Sequence, residues 1–126
     1  MNVFLWIVAA VLAATFLGSG AMKLLTSTEK LTTLGLGWAE DVGTGMVKAI
    51  GVLELLAAAG LTLPPLLGIA PVLAPLAAIG LVLLMLGAAL THLRRKEPQG
   101  IAVSLTLAVL AITVAWGRLG PYPFGA

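Results

Sequence analysis

The stretch from Met46 to Leu63, MVKAIGVLELLAAAGLTL, is apolar throughout except for a few polar side chains, of which only Lys48 and Glu54 are charged. A run of this length and polarity is typical of a helix that crosses a membrane. Glu54 lies near its middle, where a carboxyl group is costly unless it is paired, neutralised or hydrated. The stretch therefore predicts a membrane span and, at Glu54, a position with a functional role.

The rest of the chain has the same character. Its 126 residues are 60% hydrophobic and 10% charged, whereas a soluble domain carries about 25% charged residues. Four apolar stretches nearly exhaust the length, which predicts an all-α, four-transmembrane-helix bundle forming one integral membrane domain, residues 1–126. The predicted spans are residues 3–25, 46–63, 68–92 and 101–117.

Residue types exclude several kinds of chemistry. The chain has no cysteine, so disulfides, thiolate catalysis and cysteine-ligated metals are excluded. A single histidine, His92, together with Glu54 falls short of an ordinary zinc site, and we expect no metal. The basic residues suit membrane orientation better than nucleic-acid binding, so no nucleic-acid partner is expected.

Prolines mark the predicted boundaries of the second and third spans. The pair Pro64-Pro65 is expected to end span two and to turn directly into span three near Gly68. Pro71 and Pro75 then fall in the first half of span three, where a helix in lipid tolerates lost backbone hydrogen bonds only with a kink or with neighbouring partners, and we expect that half to bend.

The segment between spans one and two is more polar. Thr26 and Glu29 have capping-box spacing, which predicts a short surface helix followed by a glycine-interrupted loop. Its larger apolar side chains would either lie on the bilayer interface or fold over a cavity mouth. These side chains are Leu31, Leu34, Leu36 and Trp38.

Basic residues are unevenly divided between the two ends of the predicted bundle. Arg118 is alone beside the termini, so the positive-inside rule predicts a multi-pass protein with both termini outside. The basic residues that flank the two opposite loops are Lys23, Lys30, Lys48, Arg94, Arg95 and Lys96. The aromatic residues expected to form an outer belt are Trp6, Trp116, Tyr122 and Phe124.

Polar side chains of three spans are expected to converge. Lys23 ends span one, Lys48 begins span two and His92 ends span three, while Glu54 lies about 9 Å deeper than Lys48. Gly51 lies between them, at a point where a neighbouring helix or a flat ligand can approach the backbone. We therefore predict that these five residues bind a ligand, with Glu54 and His92 as hypothetical acid–base groups.

Simpler roles are open for each of these side chains. Lys48 could extend to the head groups, and His92 could cap the last carbonyls of span three. Glu54 could form an ion pair with Lys23 or Lys48 that only fixes helix register. Small residues are expected at helix contacts, namely Ala57, Ala58, Ala59, Gly60, Gly80 and Gly87. Two hydroxyls of span four, Thr106 and Thr113, would line the core or bond their own backbone.

Three segments resemble the DoxX-like family of small four-helix membrane proteins. They are Gly20-Ala21-Met22-Lys23, Lys48-Ala49-Ile50-Gly51-Val52-Leu53-Glu54 and the run GAALTHLRR at residues 87–95. The likeness covers nearly the whole chain. It implies an inner-membrane bundle close to quinones or membrane redox partners, because relatives include a subunit of a thiosulfate:quinone oxidoreductase. Lys23, Glu54 and His92 are the polar positions that the resemblance carries over.

Three functional hypotheses follow. The first is an accessory subunit of a membrane redox system that binds a lipophilic small molecule, for example a non-covalently held quinone, in an intramembrane polar pocket. The second is an isomerase or cyclase that uses Glu54 as general acid or base on a hydrophobic substrate. The third is a structural or assembly partner of another membrane protein or of a second copy of the chain. In every case the lipid bilayer is the surrounding medium.

Overall fold

The computed structural model describes residues 1–124, and within that range the regular structure is entirely helical. Four helices have 22 or 24 residues and an 18-residue window with mean hydropathy between 1.8 and 2.4, as membrane spans require. The predicted all-α four-helix bundle is thereby confirmed. The helices are α1 (Asn2–Leu25), α2 (Thr28–Thr33), α3 (Trp38–Val42), α4 (Thr44–Leu67), α5 (Leu73–Arg94) and α6 (Pro98–Leu119).

The long helices run alternately up and down, and each packs against two others. Helix α1 lies between α4 and α6, and α5 closes the ring opposite α1. The core between them is apolar and contains Phe16, Leu12, Leu61, Leu81 and Val114, none more than 1% exposed. The bundle interior is therefore packed with side chains from all four spans.

One end of the bundle is covered by residues 27–43, which we call the cap segment. Leu31 and Ala39 of this segment are fully buried beside Val47 at the start of α4. Leu36 and Trp38 pack against the same cluster, whereas Leu34 stays exposed. The apolar side chains of the segment thus mainly cover the ends of α1 and α4.

The cap segment contains two short helices where a single one was expected. The first starts one residue later than the predicted capping box, because α1 continues through Leu25 and uses Thr26 as its C-cap. Ser27 is therefore the N-cap of α2, and its Oγ accepts a hydrogen bond from the Lys30 backbone N–H at 3.2 Å.

The prediction that Pro64-Pro65 ends the second span was wrong. Helix α4 continues through both prolines to Leu67. Each proline lacks an N–H and so removes one backbone hydrogen bond, a loss that helices in a membrane tolerate where neighbouring groups compensate. The helix stops at Gly68, whose φ of 68° is left-handed, and Ile69 N–H donates to the Pro64 carbonyl at 3.0 Å.

The prediction for the prolines of the third span was also wrong, because it assumed that they remove hydrogen bonds from the helix. Pro71 precedes α5, which begins at Leu73, and Pro75 is the third residue of that helix. The first N–H groups of a helix have no intrahelical partner, so a proline there removes no hydrogen bond. Neither residue forces a bend.

The opposite end of the bundle is organised around Arg118, which is only 5% exposed. Its guanidinium donates to Asn2 Oδ1 at 2.7 Å and to the Tyr122 carbonyl at 3.2 Å, so it joins the two chain ends. It also lies 3.9 Å from the ring centre of Phe124, which makes an edge contact with Trp6. The aromatic residues assigned to one belt therefore do share one end of the bundle.

Candidate functional site

Helices α1 and α4 cross in close contact at two glycines. A Cβ atom added to Gly20 would lie 2.7 Å from the Gly51 carbonyl oxygen, and one added to Gly51 would lie 3.0 Å from that of Gly20. Such distances leave no space for a side chain on either helix. The space beside Gly51, which the sequence offered to a helix or a flat ligand, is filled by α1.

The close crossing brings Lys23 of α1 against Glu54 of α4. Lys23 Nζ lies 2.6 Å from Glu54 Oε1 and also donates to Ser19 Oγ at 2.5 Å. Only 1% of Glu54 and 6% of Lys23 are exposed. Although the charges are adjacent, Oε1 accepts no well-directed hydrogen bond within residues 1–124. The pair is therefore held chiefly by its opposite charges and is sealed by packing.

The cap segment covers this ion pair on the side facing away from the membrane core. The ring of Trp38 lies 5.6 Å from Lys23 Nζ, within the range of a cation–π contact. Trp38 and Met22 also belong to the apolar cluster beneath the cap segment. The Lys23–Glu54 pair thus lies between the bundle core and a second apolar layer.

Lys48 binds backbone carbonyls, which were not among the partners considered from the sequence, namely head groups, Glu54 or a ligand. Its Nζ donates to the backbone carbonyls of Lys23, Leu24 and Thr26 at 2.8, 3.0 and 3.1 Å. The last carbonyls of a helix lack intrahelical donors and carry the negative end of the helix dipole, so an ammonium group is well placed there. Lys48 uses all three of its N–H donors to cap α1.

His92 lies on another helix pair, at the end of α5 and against α6. Its Nδ1 is 2.9 Å from Glu97 Oε1, and its ring packs on Gly100, where an added Cβ would overlap it. The expected meeting of Lys23, Lys48, Glu54 and His92 in one hollow is therefore not formed. The reason is that α1 pairs with α4 while α5 pairs with α6, so the side chains occupy separate interfaces.

Charged neighbours tie the His92–Glu97 pair to the cap segment. Glu97 Oε2 lies 3.4 Å from Arg95 Nε, and Arg95 forms a second ion pair with Asp41 of α3. The hydrogen bond with His92, aided by Arg95, lowers the pKa of Glu97 below its usual value of 4.5. The hydrogen bond to Asp41 raises the pKa of the Arg95 guanidinium.

Beside this network lies a cavity of about 580 Å³, which we call the His92 cavity. Ser104 is only 4% exposed and contributes to the cavity wall. Helix α6 begins at Pro98 without a side-chain cap, so its first backbone N–H groups have no intrahelical partner. The lining residues are Gly35, His92, Glu97, Pro98, Gln99, Gly100, Val103 and Ser104.

Two further grooves are apolar. One, of about 660 Å³, lies between α4 and α5, and another, of about 450 Å³, lies between α5 and α6 near the chain termini. Glu54 lines neither groove, nor does it line the His92 cavity. Of these three spaces, only the His92 cavity is lined by acid–base side chains.

The small residues are partly where close helix contact was expected. Ala58 is buried, and a Cβ added to Gly60 would lie 3.1 Å from Ala77 Cβ of α5. Gly80 and Gly87 were expected at contacts, but among residues 1–124 no atom lies within 4 Å of a Cβ added to either. Gly80 instead lines the apolar groove between α4 and α5, and Gly87 is exposed. The hydroxyls of Thr106 and Thr113 bond their own helix, to the carbonyls of Ala102 and Val109.

Sequence reasoning missed several residues that build these sites. Ser19 and Gly20 precede Lys23 by four and three positions, so helical spacing places them on its face and is a usable signal. Glu97 and Ser104 carry no comparable signal. Glu97 meets His92 across the turn between two helices, where no regular period applies.

Comparison with known proteins gives one assignment. The profile of the DoxX-like family matches residues 7–114. No curated protein and no solved structure gives a significant match. The matched range includes most of all four spans, both residues of the Lys23–Glu54 pair and the lining of the His92 cavity. This protein belongs to the DoxX-like family.

Proposed function

We propose that this multi-pass membrane protein binds a lipophilic ligand with a polar head group, for example a quinone, in the His92 cavity. The observation that carries the proposal is the cavity itself. About 580 Å³ of space adjoins a histidine and a buried serine at the end of two membrane-spanning helices. A ligand pocket of a few hundred Å³ with a few converging polar groups is the usual form of a small-molecule site.

The lining offers hydrogen-bonding groups suited to an oxygen atom of a ligand. Glu97 engages His92 Nδ1, so Nε2 is the ring nitrogen left for a ligand. Ser104 adds a hydroxyl, and the first turn of α6 adds backbone N–H donors. Because the cavity lies where the spans end, the head group would sit at the membrane boundary with its tail in the lipid.

The Lys23–Glu54 pair has a supporting role in this proposal. Together with the Gly20–Gly51 crossing, it holds α1 against α4 beneath the cap segment, and Gly35 of that segment lines the cavity. Direct ligand contacts of Lys23, Lys48, Gly51 and Glu54 stay predictions. These groups lie in a packed interface, which a ligand could reach only if the two helices separated. An isomerase or cyclase that uses Glu54 as its acid would require that interface to open.

The setting we propose is an accessory role beside a membrane redox system. A bound quinone is the chemical link to such a system, since quinones carry electrons between membrane enzymes. The proposed location is the inner membrane with the cap segment inside, where six of the seven basic residues would then lie.

The test compares lipophiles that co-purify with matched glycine variants. Gly100→Ala places a methyl group where the His92 ring lies and displaces the ring, whereas the methyl group of Gly87→Ala on α5 meets no atom of the described part of the chain within 4 Å. Mass spectrometry of the purified proteins should show a lipophile retained by wild type and Gly87→Ala and depleted in Gly100→Ala. Circular dichroism checks that both variants remain helical. Identical lipophile profiles in all three proteins would reject the proposal.

A Glu54→Gln protein belongs in the same experiment. If the ligand binds in the His92 cavity, this variant should retain the lipophile wherever it remains folded. Loss of the lipophile from a folded Glu54→Gln protein, with retention in Gly100→Ala, would move the site to the α1–α4 interface.

A further inference from the structure

The wall of the His92 cavity carries a negative charge beside the start of a helix, where a positive partial charge is usual. The N-terminus of α6 carries roughly half a positive elementary charge, which ordinarily attracts anions. Here the N-cap residue is Glu97, whose carboxylate lines the cavity and makes no capping hydrogen bond. A full negative charge at this position outweighs the positive end of the helix dipole.

Neighbouring charges do not reverse that balance. Glu97 is paired with Arg95, but Arg95 is also engaged by Asp41. Of the residues that line the cavity, Glu97 is the one that carries a full charge while His92 is neutral. Arg94 and Lys96 are exposed and do not line the cavity, so solvent screens their charges.

The hydrogen-bonding groups of the wall favour a ligand atom that accepts hydrogen bonds. The carboxylate oxygens of Glu97 are engaged by His92 and Arg95. The groups left to donate to a ligand are the Ser104 hydroxyl and the N–H groups of the first turn of α6, because a neutral His92 that donates its Nδ1–H to Glu97 has only an acceptor at Nε2. Such a wall suits an acceptor oxygen that carries no charge.

From this combination we infer that the His92 cavity selects lipophiles with a neutral carbonyl head group and rejects carboxylate and phosphate head groups, with Glu97 as the selecting residue. The inference rests on the proposed function and adds the chemical class of its ligand. A quinone, ketone or ester satisfies both conditions. A fatty acid or an anionic phospholipid supplies acceptors but brings its charge against the Glu97 carboxylate.

The test uses two probes with tails of similar length, decyl-benzoquinone and decanoate. Binding to the protein in uncharged nanodiscs is measured at about pH 8, where a histidine side chain is ordinarily neutral, with protein-free nanodiscs as the blank. Wild type should bind the quinone at least about tenfold more tightly than decanoate, the size of effect expected from one close like-charge contact. Glu97→Gln keeps an acceptor for His92 and removes the negative charge. It should therefore reduce the ratio of quinone affinity to decanoate affinity severalfold. The matched control is Glu40→Gln, which removes an exposed carboxylate outside the cavity and should leave the ratio unchanged.

The salt dependence of wild type gives a second measurement that needs no variant. Added salt should strengthen decanoate binding by screening the repulsion and should leave quinone binding unchanged. Equal affinity for both probes, or decanoate binding that weakens with salt, would overturn the charge selection while the proposed function stands. If neither probe binds wild type, the proposed function itself fails.

Discussion

Lys23 and Glu54 show how a single pair of side chains can decide where two membrane helices meet. Each is almost fully buried, and each is the other's nearest opposite charge. A buried pair of this kind contributes little net stability compared with apolar packing, but losing one partner leaves a charge with nothing to balance it. The pair therefore specifies the α1–α4 register more than it strengthens it.

Replacing Glu54 alone should destabilise the bundle. Glu54→Gln leaves the Lys23 ammonium buried without its counter-charge, and we expect a loss of about 3–5 kcal/mol in the free energy of unfolding. Unfolding in mixed micelles of mild detergent and sodium dodecyl sulfate measures this quantity. The double variant Lys23→Met, Glu54→Leu removes both charges and should recover most of the loss. A Glu54→Gln protein as stable as wild type would show that the ion pair does not govern the register.

Among the helices, α1 and α4 depend on the Gly20–Gly51 crossing, and α5 and α6 are joined by the turn that carries Glu97. Single substitutions can test both contacts. At the first contact they test how closely the two backbones approach, and at the second they test the charge of the Glu97 carboxylate.

Gly20→Ala should separate α1 from α4. The added methyl group would lie 2.7 Å from the Gly51 carbonyl oxygen, which is backbone and cannot move aside without shifting the helix. We expect a loss of about 1–3 kcal/mol, as for overpacking of a core, measured by the same detergent titration. Gly18→Ala is the matched control, since Gly18 lies on the same helix and a Cβ added there meets no atom of the described residues within 4 Å. Equal stability of the two variants would contradict a tight crossing.

The contribution of Glu97 should depend on pH. Because the folded protein lowers the pKa of Glu97 below its usual 4.5, the folded state favours the charged form. Its stabilising effect is full well above 4.5 and is lost as the pH falls through the lowered native value. Wild type should therefore unfold at a higher denaturant concentration than Glu97→Gln at neutral pH, and the gap should close on acidification. A gap that stays constant with pH would exclude this role.

For the molecule in its membrane, the two ends of the bundle differ in chemistry. One end has the cap segment, all of the acidic residues except the deeper Glu54, and six of the seven basic residues; the other has Arg118 with its aromatic neighbours. This asymmetry underlies the predicted orientation with both termini outside.

Cysteine labelling tests that orientation directly, because the chain has no cysteine of its own. Glu40→Cys in the cap segment and Pro123→Cys near the C-terminus both replace exposed residues at opposite ends. In intact cells a membrane-impermeant maleimide should label Pro123→Cys and should reach Glu40→Cys only after the membrane is permeabilised. The reverse pattern would invert the topology.

Much of the fold could be predicted, and the candidate site only in part. The four spans follow from apolar length, and the Lys23–Glu54 pair was one of the alternatives for Glu54. The end of α4 was misplaced because the helix continues through Pro64 and Pro65 and stops only at the left-handed Gly68. The partner of His92 was missed because it comes from a turn, where contact does not follow helical spacing.

By itself, the sequence determined that this is an all-helical membrane protein with four spans. A bilayer accepts only segments of about 20 apolar residues whose backbone groups are bonded internally, and that requirement is local. Only the tertiary structure decided which polar groups meet. The spans are apolar on every side, so lipid does not distinguish their faces, and the rotation of each helix depends on contacts with its neighbours, such as Gly20 with Gly51. For that reason Glu54 was found against Lys23 and His92 against Glu97, rather than all in one hollow.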